Sequence, residues 1–120
     1  PEEQLCRLQF LDLNGKDLAL DRERTERLTY GLGKRLQIPV VSGSDTHQAV
    51  QYGCVATVFE NACDTIPALY GEMLAGRYEI RLSGCAALQV RTACLLKRSL
   101  KEIHALGGDY VSILTQGATA

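Results

Sequence analysis

An aspartate and a histidine two positions apart, Asp45 and His47, follow a short apolar run, Ile38 to Val41. An uninterrupted apolar run of this length predicts a strand covered on both faces, as in a parallel α/β sheet. The small residues Ser42 to Ser44 then let the backbone turn. Chemistry in α/β folds gathers at the carboxyl ends of strands, so a carboxylate and an imidazole here are half of a divalent metal site. Residues two apart in an extended chain project to one side, which predicts that both face one pocket.

A strand and a helix precede this segment. The pattern LCRLQFLDL over residues 5–13 predicts a strand with apolar side chains on both faces, and Asn14-Gly15 is a turn pair that ends it. Asp21 is a suitable N-cap for a helix reaching about Gln37. With the strand at 38–42 these elements form a right-handed βαβ unit. The apolar stripe of the helix is Thr25, Leu28, Leu32 and Leu36, and Gly31 and Gly33 would permit close packing on the sheet.

Further elements follow the aspartate and histidine. Residues 53–59 predict a strand, and Asp64 or Thr65 caps a helix that Gly76 ends. Residues 77–82 predict a short strand, and Ser83 caps a long helix from about Cys85 to Leu106. The apolar stripe of that helix is predicted to be Cys85, Leu88, Leu95, Leu96, Leu100, Ile103 and Leu106.

The composition is that of one globular domain. The chain has 120 residues, is 46% hydrophobic and 22% charged, and carries a net charge of −1. Bulk attraction to nucleic acid or anionic lipid is therefore not expected, and neither a membrane-spanning stretch nor a signal peptide is visible. The odd count of five cysteines without C-x-x-C spacing predicts reduced core cysteines in a cytoplasmic protein. The spacing of Cys54 and Cys63 matches no zinc signature.

Other candidate motifs are weak. Gly31 to Lys34 lacks the spacing of a phosphate loop and lies inside a helical pattern. Ser42 and Ser44 have no histidine partner that would make a serine nucleophile. His104 is expected on the surface near the end of the long helix. A bare Asp-x-His is itself compatible with an aspartate that caps a turn beside an exposed histidine.

The segment resembles the last motif of the PHP (polymerase and histidinol phosphatase) domain. Order and spacing agree with the family over roughly residues 5–80. The matching segments are LDLNG at 11–15, the helix end at 32–36, IPVV at 38–41, GSDTH at 43–47, Gly53, TVF at 57–59 and LAGRYE at 74–79.

This resemblance implies a distorted (β/α)7 barrel with a cluster of Zn, Mn or Fe at its C-terminal mouth. Such sites hydrolyse phosphoesters, because metal lowers the pKa of bound water and neutralises charge on the phosphoryl oxygens. The resemblance makes Asp45 and His47 metal ligands and Asp12 a residue that supports the ligands from outside. Asp12 is otherwise a solvated charge at a loop edge. The implied substrate is a phosphorylated small molecule or a nucleotide.

The chain also departs from the family. The opening His-x-Asp-x-His or His-x-His motif is absent, and the chain has only two histidines. The first residue is Pro1 rather than Met, so we expect a piece of a longer chain. Because the missing ligands would lie upstream of Pro1, this piece would be the C-terminal part of an enzyme and inactive by itself. Residues 1–82 would be the barrel portion and residues 83–120 a helical extension packed on it. Its exposed barrel edge would favour self-association.

Two other interpretations stay open. The first is a PHP-like domain without catalysis that serves as a binding or scaffold module. The second is an unrelated small α/β domain whose Asp-x-His is accidental. The long helix also has a basic flank, which is usually solvated but would steer an anionic substrate if it lay near the mouth. The flank consists of Arg91, Lys97, Arg98 and Lys101.

Overall fold

The computed structural model describes residues 2–5 and 7–109, and there the chain is mixed α/β with two small sheets. Pro1, Cys6 and residues 110–120, the last part of the predicted helical extension, lie outside the described residues. The helices are α1 (Glu2–Leu5), α2 (Gly15–Leu20), α3 (Arg22–Leu36), α4 (Ile66–Ala75) and α5 (Ala86–Ala105), with a 3₁₀ helix at Ala49–Gln51. The strands are β1 (Leu11–Asp12), β2 (Val40–Val41), β3 (Val55–Phe59) and β4 (Tyr78–Leu82). Within the described ranges, no helix combines the length and the apolar character needed to cross a membrane.

The first sheet is a parallel pair. Leu11 lies opposite Val40 and Asp12 opposite Val41. The ladder continues where the N–H of Leu13 donates to the carbonyl of Val41 at 2.7 Å. Because α2 and α3 connect the two strands, the predicted β–helix–β order is confirmed, and the carboxyl ends of β1 and β2 lie at the same edge.

The long strand predicted over residues 5–13 is wrong, because only Leu11–Asp12 pairs with a neighbour. Residues 2–5 are helical, and Leu8 remains 45% exposed. The ring of Phe10 packs edge-on against Tyr70 of α4, with centroids 5.6 Å apart. An apolar pattern shows which side chains seek burial, and here a helix rather than a partner strand covers Phe10.

Local capping sets the ends of the helices as predicted. The carboxylate of Asp21 accepts from the N–H of Arg24 at 3.2 Å at the start of α3. Thr65 rather than Asp64 caps α4 through its hydroxyl. Gly76 ends α4 with φ of 66°, a left-handed conformation that costs glycine little.

The second sheet is an antiparallel pair. Val55 lies opposite Leu82 and Phe59 opposite Tyr78, with α4 between the strands in sequence. The predicted strands at 53–59 and 77–82 are therefore confirmed, each slightly shorter. Among the described strands, β3 and β4 share no backbone ladder with β1 and β2.

Side chains instead attach the second sheet to β2. The hydroxyl of Thr57 donates to the carbonyl of Ser42 at 2.7 Å and accepts from the N–H of Ser42 at 3.0 Å. The hydroxyl of Tyr78 donates to the carbonyl of Val40 at 2.7 Å. These bonds satisfy backbone groups at the outer edge of β2, which would otherwise lose their partners on burial.

Helix α5 buries a different face from the one that the sequence predicted. Its buried residues are Ala86, Val90 and Ala93, and Val90 joins the core. Leu88 and Leu95, members of the predicted stripe, are 68% and 62% exposed. Small side chains let the helix axis approach the core closely, so the larger leucines point away. The predicted cap is also shifted: Cys85 is the N-cap, and the hydroxyl of Ser83 accepts from its N–H.

The core is small and surrounds the parallel pair. Partly buried Ala19, Leu32, Leu36, Ile80 and Leu82 pack against it. Its buried members are Leu11, Leu13, Leu18, Ile38, Val40, Cys54, Val55, Ala86 and Val90.

Gly33 and Gly31 of α3 differ in their surroundings. A Cβ built on Gly33 would lie 2.8 Å from Cγ2 of Val40 and 3.0 Å from the carbonyl oxygen of Ile38. A Cβ on Gly31 would meet nothing within 4 Å. The predicted close packing of a helix glycine on the sheet is therefore confirmed for Gly33 and is wrong for Gly31.

We expect Gly33→Ala to lower the free energy of unfolding by about 1–3 kcal/mol, since the added methyl overpacks the contact with β2. Gly31→Ala is the matched control and should raise it by about 0.5–1 kcal/mol, because alanine is the better helix former. Urea unfolding of both variants measures this difference. Equal effects at the two positions would contradict the packing of α3 on β2.

An ion pair between the buried Glu72 and the half-exposed Arg77 ties the end of α4 to the start of β4. Glu72 is 8% exposed, and the Nε of Arg77 donates to its two carboxylate oxygens at 3.1 and 3.0 Å. The amide of Asn61 donates to the same carboxylate at 3.0 Å. These hydrogen bonds, from Arg77 first and then Asn61, lower the pKa of Glu72.

The pair makes stability depend on pH. Because the folded-state pKa of Glu72 lies below its ordinary value of 4.5, the ionised carboxylate stabilises the fold above that pH, and this stabilisation is lost as pH falls through the folded-state pKa. We expect Glu72→Gln to flatten the acid side of the stability profile, measured by urea unfolding across pH. Glu79→Gln is the control, since Glu79 pairs with Arg81 on an exposed surface. An unchanged acid slope in Glu72→Gln would oppose this assignment.

Candidate functional site

The candidate residues lie at the carboxyl edge of the parallel pair. Asp12 is the last residue of β1, and β2 ends at Val41 shortly before Asp45 and His47. The sequence predicted this location for all three residues. The carboxyl ends of two neighbouring parallel strands lie at the same edge, so the residues that follow them are close together.

The Asp45–His47 turn is not extended, so the reason given for their common direction was wrong. Asp45 has φ of 48°, in the left-handed region. The Nδ1 of His47 lies 3.0 Å from the carbonyl oxygen of Asp45 and 3.6 Å from its Oδ1. A compact turn, rather than alternation along a strand, thus brings carboxylate and imidazole together, and both line one cleft.

A buried glutamine holds this turn. Gln51 is 4% exposed, and its Oε1 accepts from the N–H of His47 at 3.0 Å and of Gln48 at 3.3 Å. Its Nε2 lies 3.4 Å from the carbonyl oxygen of Asp45, to which it donates. The three bonds support the left-handed backbone at Asp45, which is otherwise unfavourable for a residue with a side chain. Sequence reasoning missed Gln51, and no pattern around it signals this role.

A core cysteine supports the same turn from below. The thiol of Cys54 donates to the carbonyl of Ser44 at 3.6 Å, and burial raises the pKa of this thiol. Among the described cysteines, all of which are free, only Cys54 is buried. The prediction of core cysteines is therefore confirmed for Cys54 and is wrong for Cys85 and Cys94, which are exposed.

Asn14 joins the start of α2 to Asp45. Its Oδ1 accepts from the N–H of Asp17 at 3.1 Å, which makes Asn14 the N-cap of α2. Its Nδ2 donates to Oδ2 of Asp45 at 3.2 Å. The sequence predicted only a turn at Asn14-Gly15, although an asparagine three residues before an aspartate is also typical of a helix start. The next residue must be glycine, because a Cβ on Gly15 would collide with the carbonyl oxygen of Gly43.

The two carboxylates at this edge repel each other. Partial burial raises the pKa of Asp12, and the charge of Asp45 raises it further, while a hydrogen bond from the backbone of Gly43 acts in the opposite direction. Asp12 is therefore close enough to Asp45 to sense its charge. A cation bound at this edge would relieve the repulsion.

The cleft at this edge mixes acidic, basic and amide groups. Its volume is about 190 Å³, and α2, the Asp45–His47 turn and α5 all contribute to it. Sequence reasoning had assigned Lys16 no role and had left Lys97 as part of a flank. The lining residues are Lys16, Asp45, His47, Gln48, Gln51, Ala93, Cys94 and Lys97.

Asp45 and His47 have the kinds of ligand atom that a divalent metal takes, but two ligands are too few to complete a site. Carboxylate oxygen and imidazole nitrogen suit Zn, Mn or Fe. The bond from Nδ1 of His47 to a backbone carbonyl leaves Nε2 as the nitrogen available for a metal, the usual arrangement of a ligating histidine. Across residues 2–5 and 7–109, no group of three or more His, Cys, Asp or Glu side chains is placed to hold an ion.

Comparison with family models, with curated proteins and with solved structures gave no match for this chain. The resemblance to the PHP domain therefore stays a prediction.

Two substitutions separate the helix cap that Asn14 forms at α2 from its hydrogen bond to Asp45. Serine also caps helices well but is too short to reach Asp45, whereas alanine does neither. We expect Asn14→Ala to lower the free energy of unfolding by about 1 kcal/mol and Asn14→Ser to lower it much less. Urea unfolding measures both. If serine costs as much as alanine, the bond to Asp45 rather than the helix cap carries the stabilisation.

Proposed function

We propose that this chain forms part of a metal-dependent phosphoesterase, with Asp45 and His47 as metal ligands. The observation that carries the proposal is their position in one cleft, with Nδ1 of His47 bonded to the carbonyl of Asp45. The parallel pair β1–β2 would belong to a distorted (β/α)7 barrel, as the resemblance implies. A PHP-type barrel explains why both acidic side chains follow strand ends.

The residues in and around the cleft then take distinct roles. A bound Zn, Mn or Fe ion supplies charge neutralisation and an acidified water. Gln51 keeps the ligand turn in place, and Asn14 fixes one oxygen of Asp45. Asp12 adds negative charge beside Asp45 and so favours a cation at this edge. The substrate would be a phosphorylated small molecule or a nucleotide.

Two ligands do not complete a catalytic metal site, which usually takes at least three from protein. We therefore propose that the remaining ligands come from other parts of the protein or from a second copy, and that the chain alone is inactive. Self-association would fit the exposed apolar side chains of α4 and α5, among them Ile66 and Leu88. The alternative, a scaffold module without catalysis, predicts no specific metal response.

Manganese provides the test, because it broadens NMR signals of nearby nuclei. Titration of the 120-residue chain with Mn²⁺ should first broaden amide signals of residues 44–48 and those around Asp12. His47→Gln and Asp45→Asn should remove this selective broadening. The binding should be weak, without the tight stoichiometric site that calorimetry would detect for a full ligand set.

His104→Gln is the matched control, since it removes the other histidine of the chain and leaves the turn unchanged. Broadening that persists in His47→Gln, or that is centred on another part of the chain, would contradict the proposed ligands. A folded chain without selective broadening would favour the scaffold interpretation.

A further inference from the structure

A second cleft adjoins the one that holds Asp45 and His47. It has a volume of about 290 Å³ and lies along the last turns of α5. Gln48 and Lys97 line both clefts and so form their common wall. The lining residues of the second cleft are Gln48, Lys97, Leu100, Lys101 and His104.

The second cleft is basic. Lys97 and Lys101 are four residues apart on α5, so their side chains lie on the same face, with about 6 Å of axial rise between them. None of its lining residues is acidic. Within the described residues, neither lysine forms a salt bridge, so the positive charge of both is available to a ligand.

The first cleft also has lysines in its walls. Lys16 at the start of α2 and Lys97 on α5 both line the cleft around Asp45. Neither lysine is paired with a carboxylate among the described residues. A phosphoryl group near Asp45 and His47 would meet Lys16 and Lys97, and a second anionic group beyond Gln48 would meet Lys97 and Lys101.

We propose that the substrate carries two phosphoryl groups, one held in the first cleft and the other between Lys97 and Lys101. This inference rests on the proposed phosphoesterase function and specifies its substrate class. Lys97 and Lys101 are specificity-determining residues, because each would contact a phosphoryl group through its ammonium. A long nucleic acid fits less well, since the net charge of the chain is −1.

Calorimetry on the metal-free full chain tests the inference with two probes, inorganic phosphate and propane-1,3-bisphosphonate, whose phosphonate groups are far enough apart to reach both clefts. The titrations are run at low ionic strength, where surface charges act most strongly. The bisphosphonate should bind more tightly than phosphate. Lys101→Gln should raise the Kd for bisphosphonate roughly three- to tenfold and leave that for phosphate nearly unchanged. Lys97→Gln should weaken both probes.

Arg98→Gln is the matched control, because it removes a positive charge from the same helix at a residue that lines neither cleft. The inference is overturned if bisphosphonate binds no better than phosphate, or if Arg98→Gln weakens it as much as Lys101→Gln does. Its failure is distinct from that of the proposed function, because the Mn²⁺ response of His47 requires neither lysine. If Mn²⁺ caused no selective broadening but the lysine variants still weakened bisphosphonate binding, the site for two anionic groups would stand and the hydrolytic role would be rejected.

Discussion

The side chain of Asn14 connects the scaffold to the candidate site. Its amide has both an acceptor and a donor, and it uses the acceptor for the N–H of Asp17 and the donor for the carboxylate of Asp45. Gly15 then allows the turn at Gly43 to lie against the first residues of α2. The position of Asp45 is therefore set by the start of α2 as much as by β2, which precedes it in sequence.

Charges of both signs lie in and around the cleft. Asp12 and Asp45 place negative charge at the carboxyl edge of the strands, which favours a cation there. Lys16 and Lys97 place positive charge on the walls supplied by α2 and α5, which favours an anion. A site that brings a metal to a phosphoester needs both within one cleft, since the metal and the phosphoryl oxygens must meet. This combination is the physical basis of the proposed function.

Hydrogen bonds from side chains connect the elements around this edge. Thr57 and Tyr78 hold the second sheet on β2 through hydrogen bonds to backbone groups. Gln89 of α5 donates to the carbonyl of Val50 at 3.1 Å and so holds the 3₁₀ helix that contains Gln51. The turn at Asp45 is thus fixed by side chains from several elements, which is how a left-handed non-glycine residue persists.

The sequence by itself determined the local features. Helix ends at Asp21, Thr65 and Gly76 were predictable because a cap bonds within a few residues of itself. The spacing of Asp45 and His47 after an apolar strand likewise indicated where the site lies. An alternating apolar pattern could not set the length of β1, since a strand exists only where a neighbour pairs with it.

Only the tertiary structure decided which distant residues meet. The bond between Asn14 and Asp45 spans 31 positions. The sequence left open whether the basic flank of the long helix lies near the site, and the structure places Lys97 of that flank in the cleft with Asp45. The buried face of α5 was set by Ala86 and Ala93 rather than by its leucines, because small residues permit the closest approach to the core. Such contacts depend on how separate elements pack together, and no local pattern in the chain encodes that packing.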